Sequence, residues 1–103
     1  MHEYLAERYE PGVTREQVEA DASRLAAAAA KLQAKGHVIE FLGSTFVQGD
    51  EACFSRFVSS SPELVAAAHR LASVPMERVV EALSVRWQAG NEASGVGYGN
   101  VER

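Results

Sequence analysis

The chain has 103 residues, of which 47% are hydrophobic and 23% charged, and its formal net charge is −4. This length suits one compact domain, and no apolar window is long enough to span a bilayer. The negative charge and the lack of a Lys/Arg cluster argue against nucleic acid as a partner. Because the N-terminal segment is charged where a secretory signal is apolar, and Cys53 is the single cysteine, we expect a cytoplasmic protein without an internal disulfide.

The first third of the chain predicts a strand and a long helix. Residues 2–9 mix Tyr and Leu with polar residues and stop at Pro11-Gly12, which is typical of a strand running into a turn. Thr14 is suited to cap a helix through its hydroxyl, and the side chain of Gln17, three residues later, can reach back to complete the cap. Apolar residues at steps of three and four then continue the helix, which Gly36 ends.

Residues 37–87 predict a hairpin, a second helix and a last strand. Residues 37–47 and 52–58 are rich in β-branched and aromatic side chains and flank a turn that contains Gly and Asp. Ser61 is suited to cap a helix whose first position is Pro62. A further proline ends this helix, and residues 78–87 return to strand composition.

The predicted order βαββαβ indicates an α+β, ferredoxin-like fold, a four-stranded antiparallel sheet with two helices on one face. We assign this domain to residues 1–87. Residues 88–103 hold half of the glycines and little apolar surface, so we expect a flexible, Gly-rich C-terminal tail. The alternative is an arm that docks on a partner subunit through Tyr98 and Val101.

The face of the sheet without helices, here called the open face, is predicted from strand alternation. In the second strand the apolar set suits the helix side, which leaves Glu40 on the open face; that set is Ile39, Phe41, Thr45 and Val47. In the last strand the small residues suit the helix side, which leaves Glu81 on the open face; these are Val80, Ala82 and Ser84. Glu7 follows Leu5 in the same pattern, and Arg56 is the candidate cation of the third strand.

Apolar side chains on the same face predict a homodimer that packs sheet against sheet, since an uncovered apolar surface of this size is unfavourable in water. These side chains are Leu5, Phe46, Leu83, Val85 and Trp87. Carboxylates between two sheets require a compensating cation or metal. The predicted ligand-binding residues are Glu7, Glu40, Arg56 and Glu81. Alternatively, the three glutamates form ion pairs with Arg8, Arg56, Arg78 or Arg86, or lie at a solvated rim.

Two histidines are candidate metal ligands, although the chain lacks a paired motif such as H-x-x-x-H. His37 begins a strand close to Glu40, and His69 lies beside the apolar stripe of the second helix. Imidazole with carboxylate suits nickel, zinc or copper. The predicted metal ligands are His37, His69, Glu7 and Glu81. Cys53 is predicted to be a small buried side chain, not a nucleophile.

Three segments resemble a family of short bacterial domains of unknown function, some members of which are described as nickel-binding proteins. They are YLAERYEPG at residues 4–12, GHVIEFLGSTFVQGDEACFSRF at 36–57 and AAHRLASVPMERVVEAL at 67–83. The family is similar to ferredoxin-like dimeric α/β-barrel proteins. The resemblance implies nickel as the metal, with Glu7 and Glu81 inside the shared motifs. Ser55 departs from relatives that have a second cysteine there, which removes a thiolate ligand.

These patterns and the resemblance together favour a homodimer that binds a divalent transition metal, nickel by resemblance, through carboxylate and histidine groups. The alternative is a dimeric α/β-barrel protein that binds a small molecule, or a cofactor-independent enzyme of the monooxygenase or isomerase type. In that enzyme Glu7 or Glu81 is the general base and Arg56 orients an anionic substrate. A third possibility is a structural module whose open face only dimerises. The sequence leaves open whether the protein is an enzyme.

Overall fold

The computed structural model describes residues 1–87. Its four strands form one antiparallel sheet in the order β2-β3-β1-β4, as the predicted α+β, ferredoxin-like βαββαβ fold requires. The elements are β1 His2–Tyr9, α1 Arg15–Ala34, β2 Ile39–Val47, the 3₁₀ turn Gln48–Asp50, β3 Ala52–Ser59, α2 Pro62–Ala72 and β4 Arg78–Ala82. The fold prediction is therefore confirmed. The predicted flexible tail at 88–103 lies outside the described residues.

Both helices begin at the predicted caps. The Thr14 hydroxyl accepts a hydrogen bond from the Gln17 backbone N–H at 3.1 Å, and the Ser61 hydroxyl accepts one from the Leu64 N–H at 3.3 Å. These bonds satisfy backbone donors that have no partner within the helix. Within residues 1–87, neither helix is long and apolar enough to cross a bilayer.

Two strands are shorter than predicted. β2 begins at Ile39, two residues later than expected, and β4 ends at Ala82 where the prediction ran to Trp87. Ala82 already pairs with Glu3, near the start of β1, so the chain beyond it soon lacks a strand to pair with. The apolar side chains that follow are consequently exposed: Leu83, Val85 and Trp87.

The core lies between the sheet and the two helices, which pack on the same face. Its larger cluster includes Phe57 of β3, which is 0% exposed, together with Leu25 of α1 and Val65 of α2. Burying a side chain of this size contributes about 2–3 kcal/mol. A smaller cluster near the hairpin includes Cys53, so its predicted burial is confirmed.

A β-bulge in β2 corrects one predicted set of side-chain directions. The register of β2 against β3 shifts by one residue between Phe41 and Gly43. Because an extra residue reverses the alternation that follows it, Thr45 and Val47 lie on the open face. The prediction that these two residues face the helices is wrong, and Phe46 packs against the smaller core cluster in their place.

The register of β4 corrects the second set. Val79 packs against the core, whereas Val80 pairs with Leu5 and shares its position on the open face. Glu81 has the parity of Val79, so it lies on the helix side of the sheet. The predicted open-face position of Glu81 is therefore wrong, because the register pairs Val79 with the buried Ala6 and Glu81 with the buried Tyr4.

Candidate functional site

The open face carries an apolar centre between charged side chains. Three rows cross the sheet there: Glu40, Val58, Glu3 and Ala82; then Arg56, Leu5 and Val80; then Thr45, Phe54, Glu7 and Arg78. The apolar members Leu5, Phe54, Val58, Val80 and Ala82 are half-buried, although both helices pack on the other side of the sheet. The open face is thus apolar at its centre, but of the predicted apolar residues only Leu5 lies in these three rows.

Glu7 is the most enclosed charge on the open face, with a side chain only 10% exposed. Its Oε1 accepts a hydrogen bond from Arg78 Nε at 3.0 Å and lies 3.5 Å from the Tyr9 hydroxyl. The hydrogen bond to Glu7 raises the pKa of the Arg78 guanidinium above its ordinary value. For Glu7, the ion-pair alternative is therefore the arrangement that the structure shows.

Arg56 lies half-buried in the middle row of the open face. Its Nη2 donates a hydrogen bond to the Leu42 carbonyl at 3.3 Å, and no carboxylate of residues 1–87 is within ion-pair distance of it. The bulge supplies this carbonyl. At the bulge, Gly43 has a φ of +130°, and a Cβ there would lie 3.4 Å from Nη2 of Arg56.

The remaining two predicted ligand-binding residues lie at opposite edges of the sheet. Glu40 is exposed on the open face of edge strand β2. Glu81 is on edge strand β4, where its Oε2 is 3.1 Å from Nδ1 of His2, and both side chains are more than half exposed. This pair borders an open cleft of about 580 Å³.

The structure does not bring the four predicted metal ligands together. His69 is buried on the helix side of the sheet, Glu7 is on the open face, and His37 is exposed just before β2. In the part of the chain that the structure describes, no three His, Cys, Asp or Glu side chains are grouped closely enough to hold a metal ion. The four residues of one chain therefore do not fit a shared metal site.

A buried ionic network on the helix side of the sheet was not predicted. Asp21 Oδ2 is 2.6 Å from Arg8 Nη1, Asp21 Oδ1 is 2.6 Å from Arg24 Nη2, and Glu10 Oε1 is 2.8 Å from Arg8 Nη2. Burial lowers the pKa of Arg8, but hydrogen bonds to Asp21 and Glu10 outweigh this effect, so the pKa is raised. The arginine is thus held as a buried cation.

The sequence does contain a signal for this network. Asp21 lies three residues after Val18 and four before Leu25, inside the apolar stripe of α1. Arg8 continues the alternation of the buried residues Tyr4 and Ala6 along β1. A charged residue at a core position of a helix and another at a core position of a strand predict a buried pair.

His69 is part of the core packing. Its ring lies 5.7 Å from that of Phe57, and its Nδ1 is 3.1 Å from the Val74 carbonyl oxygen, which makes Nδ1 the protonated nitrogen of the neutral ring. Burial lowers the pKa of His69 despite the opposing effect of the Val74 hydrogen bond. Burial raises the pKa of the Cys53 thiol, and the nearby charge of Arg8 offsets part of this increase. Both side chains therefore favour their uncharged forms.

The fold and the open face define a small ferredoxin-like α+β domain with charges set in an apolar sheet surface. Among solved structures, the protein SCO4226 from Streptomyces coelicolor A3(2) is similar, with a TM-score of 0.67 and 16% sequence identity. The match covers 81% of this chain and 99% of that one, and at this identity it shows the fold alone. No family model and no curated protein matches the chain. The likeness to short bacterial domains, some of them described as nickel-binding, therefore stays a resemblance.

Proposed function

We propose that the protein is a homodimer that binds a small molecule between two copies of the open face. The observation that carries this proposal is the set of charges in that face. The Glu7–Arg78 pair and Arg56 lie among half-buried apolar side chains that both helices leave uncovered. Small-molecule sites have this composition, mostly apolar with a few polar groups that fix the ligand's orientation.

A second copy of the chain is the partner that this surface suits best. A two-fold axis places the same surface on both subunits, so the apolar centre of one copy meets that of the other. The charges also differ between the rows of the face: Glu3 and Glu40 lie in one outer row, Arg56 lies in the middle row, and the other outer row holds the Glu7–Arg78 ion pair. Two sheets that face each other with reversed strand directions keep the acidic row of one copy away from the acidic row of the other.

Dimerisation also supplies what one chain lacks, which is a site closed to water. The cleft beside Glu81 is open to solvent, as is a smaller one of about 210 Å³ near Glu40. Enclosure between two sheets removes water from around Arg56 and the Glu7–Arg78 pair, and electrostatic interactions strengthen in such surroundings. A ligand held there is bound by charge and by apolar contact together.

A charge placed in the centre of the open face tests the proposal. Leu5→Glu puts a carboxylate between Arg56 and Val80, and Leu71→Glu makes the same change on α2, where Leu71 is 50% exposed. Size-exclusion chromatography with light scattering should give a dimer for the natural chain and Leu71→Glu and a monomer for Leu5→Glu. Far-UV circular dichroism establishes that each variant is folded. A monomeric natural chain, or a Leu5→Glu dimer of unchanged affinity, would overturn the proposal.

A second candidate function is binding of a divalent transition metal such as nickel, which the family resemblance implies. The His2–Glu81 pair favours it, because an imidazole and a carboxylate 3.1 Å apart at an open cleft are suitable donors. Two donors are fewer than a closed protein site provides, so water or a second copy must complete the coordination. Titration calorimetry of untagged protein with Ni²⁺ is the test. Glu81→Gln should abolish binding and His37→Ala should not, whereas equal binding by all three proteins would contradict this candidate.

A further inference from the structure

Arg56 lies on the open face and has no ion-pair partner among residues 1–87. We infer that Arg56 is an anion-recognition residue and that the ligand is a small organic carboxylate with an apolar body. This inference rests on the proposed homodimer and names the class of molecule that its site takes. Three observations support it: the lack of a carboxylate partner, the backbone built around the guanidinium, and the apolar neighbours.

The first observation is the pairing of the arginines. Arg8, Arg15, Arg24 and Arg78 each have a carboxylate within ion-pair distance. Arg70 and Arg86 have none in residues 1–87, but both are exposed, so water solvates their charge. Arg56 combines half-burial with the absence of a carboxylate partner in that range, and Glu40 in the neighbouring row is not within ion-pair distance. Its hydrogen bond to the Leu42 carbonyl is exposed, so the guanidinium is accessible, and an anion from outside the chain can pair with it.

The second observation is the shape of the backbone next to Arg56. The β2 bulge turns the Leu42 carbonyl toward Nη2 of Arg56 at 3.3 Å, and Gly43 keeps a φ of +130° that side chains rarely adopt. A Cβ at Gly43 would lie 3.4 Å from that nitrogen, in ordinary contact, so the φ of +130° is what favours glycine beside the guanidinium. Bulges often re-aim a side chain beside a functional site. One carbonyl thus positions the group and leaves most of its N–H donors for a ligand.

The third observation is the surroundings of the guanidinium. Arg56 pairs with Leu5 across the sheet, and Phe54 and Val58 flank it on the same face of β3. Glu7, the buried carboxylate on the open face of β1, forms an ion pair with Arg78. Among residues 1–87, Arg56 therefore lies between apolar side chains without an ion-pair partner, with Glu3 and Glu40 in the next row. A guanidinium binds a carboxylate through two parallel hydrogen bonds, and the neighbouring side chains suit an aromatic or aliphatic body.

Benzoate and its neutral analogue benzamide separate recognition of charge from apolar contact. Titration calorimetry is carried out on the untagged full chain, on Arg56→Gln, on Arg56→Lys and on the control Arg15→Gln, which removes an exposed arginine from α1. Light scattering gives the oligomeric state of every protein. We expect the natural chain and Arg15→Gln to bind benzoate alike, and Arg56→Gln to bind it about tenfold or more weakly. Arg56→Lys should fall between them, and benzamide should not respond to any variant.

The outcomes distinguish this inference from the proposal beneath it. A natural dimer that binds benzoate no better than benzamide, or whose benzoate affinity survives Arg56→Gln, overturns the inference and leaves the dimer standing. If the dimer binds no benzoate at millimolar concentration and Arg56→Gln dissociates it, Arg56 pairs with a carboxylate of the second copy, which also overturns the inference. A natural chain that is monomeric overturns the proposed function itself.

Discussion

The buried pair between Arg8 and Asp21 gives a quantitative prediction for stability. Asp21→Asn keeps the shape of the side chain and removes the charge that lies 2.6 Å from both Arg8 Nη1 and Arg24 Nη2. Removing one partner of a buried ion pair costs about 3–5 kcal/mol, because the other charge stays buried. Arg8 retains Glu10 at 2.8 Å and the Arg24 side chain is 52% exposed. We therefore expect a loss in the free energy of unfolding of about 3 kcal/mol, the lower end of that range.

Urea unfolding followed by circular dichroism measures this loss, with all proteins at one protomer concentration because a dimer's stability depends on it. The control is Glu19→Gln, the equivalent change on the same helix, where the partners Arg15 and Glu19 are 79% and 64% exposed. An exposed i,i+4 pair of this kind contributes about 0.3–0.5 kcal/mol. A loss below about 1 kcal/mol for Asp21→Asn, or equal losses for both variants, would refute the argument that burial gives this network its weight.

Three further predictions follow from single residues. Burial lowers the pKa of His69, so below pH about 6.5 the unfolded chain binds a proton that the folded chain does not, and the free energy of unfolding falls. In His69→Gln the urea midpoint should depend less on pH in that range. An unchanged pH profile would contradict this prediction. Gly43→Ala should lower the free energy of unfolding by about 1–3 kcal/mol, because Gly43 has a φ of +130°. Gly49→Ala, whose new Cβ would have no atom within 4 Å, should change it by less than about 0.5 kcal/mol. Equal effects of the two changes would count against backbone strain at Gly43. Cys53 is buried and burial raises its thiol pKa, so iodoacetamide should alkylate it only in unfolded chains, and the rate of alkylation should rise as urea unfolds the protein. Rapid labelling of the folded protein without urea would disprove that Cys53 is enclosed.

The order of the elements was predictable because its signals are local. Thr14 and Ser61 cap the helices through bonds to residues three positions on, and such spacing is visible in the sequence. The same holds for the prolines and glycines that end elements. Six elements of these types, in this order, leave few topologies for a single small domain, so the ferredoxin-like arrangement followed.

Side-chain direction on the two edge strands was harder to predict, because it depends on register. The bulge beside Gly43 adds one residue to β2, and the isolated glycine within the strand is a local signal for a bulge that the predicted alternation did not include. In β4 the adjacent residues Val79 and Val80 are both valine, so the alternation of apolar and polar residues does not indicate which of them faces the core. One wrong parity then moved Glu81 to the wrong side of the sheet.

The candidate site was predictable in part. Leu5 and Glu7 alternate on the central strand β1, and the structure places both on the open face with Arg56. The partner of Glu7 lies 71 residues away at Arg78, and the sequence offers several arginines for that role. His69 was misleading because a histidine beside an apolar stripe suits a ligand and a packed ring equally well. Its contacts with Phe57 and Val74 decide for packing.

Native mass spectrometry of the untagged full chain, over a range of protein concentrations, tests the central claim most directly because it reports subunit number and bound small molecules together. The account predicts a dimer with twice the 11.1 kDa mass of one chain, and added benzoate retained on the dimer. A monomer at every concentration, with no benzoate retained, would contradict it.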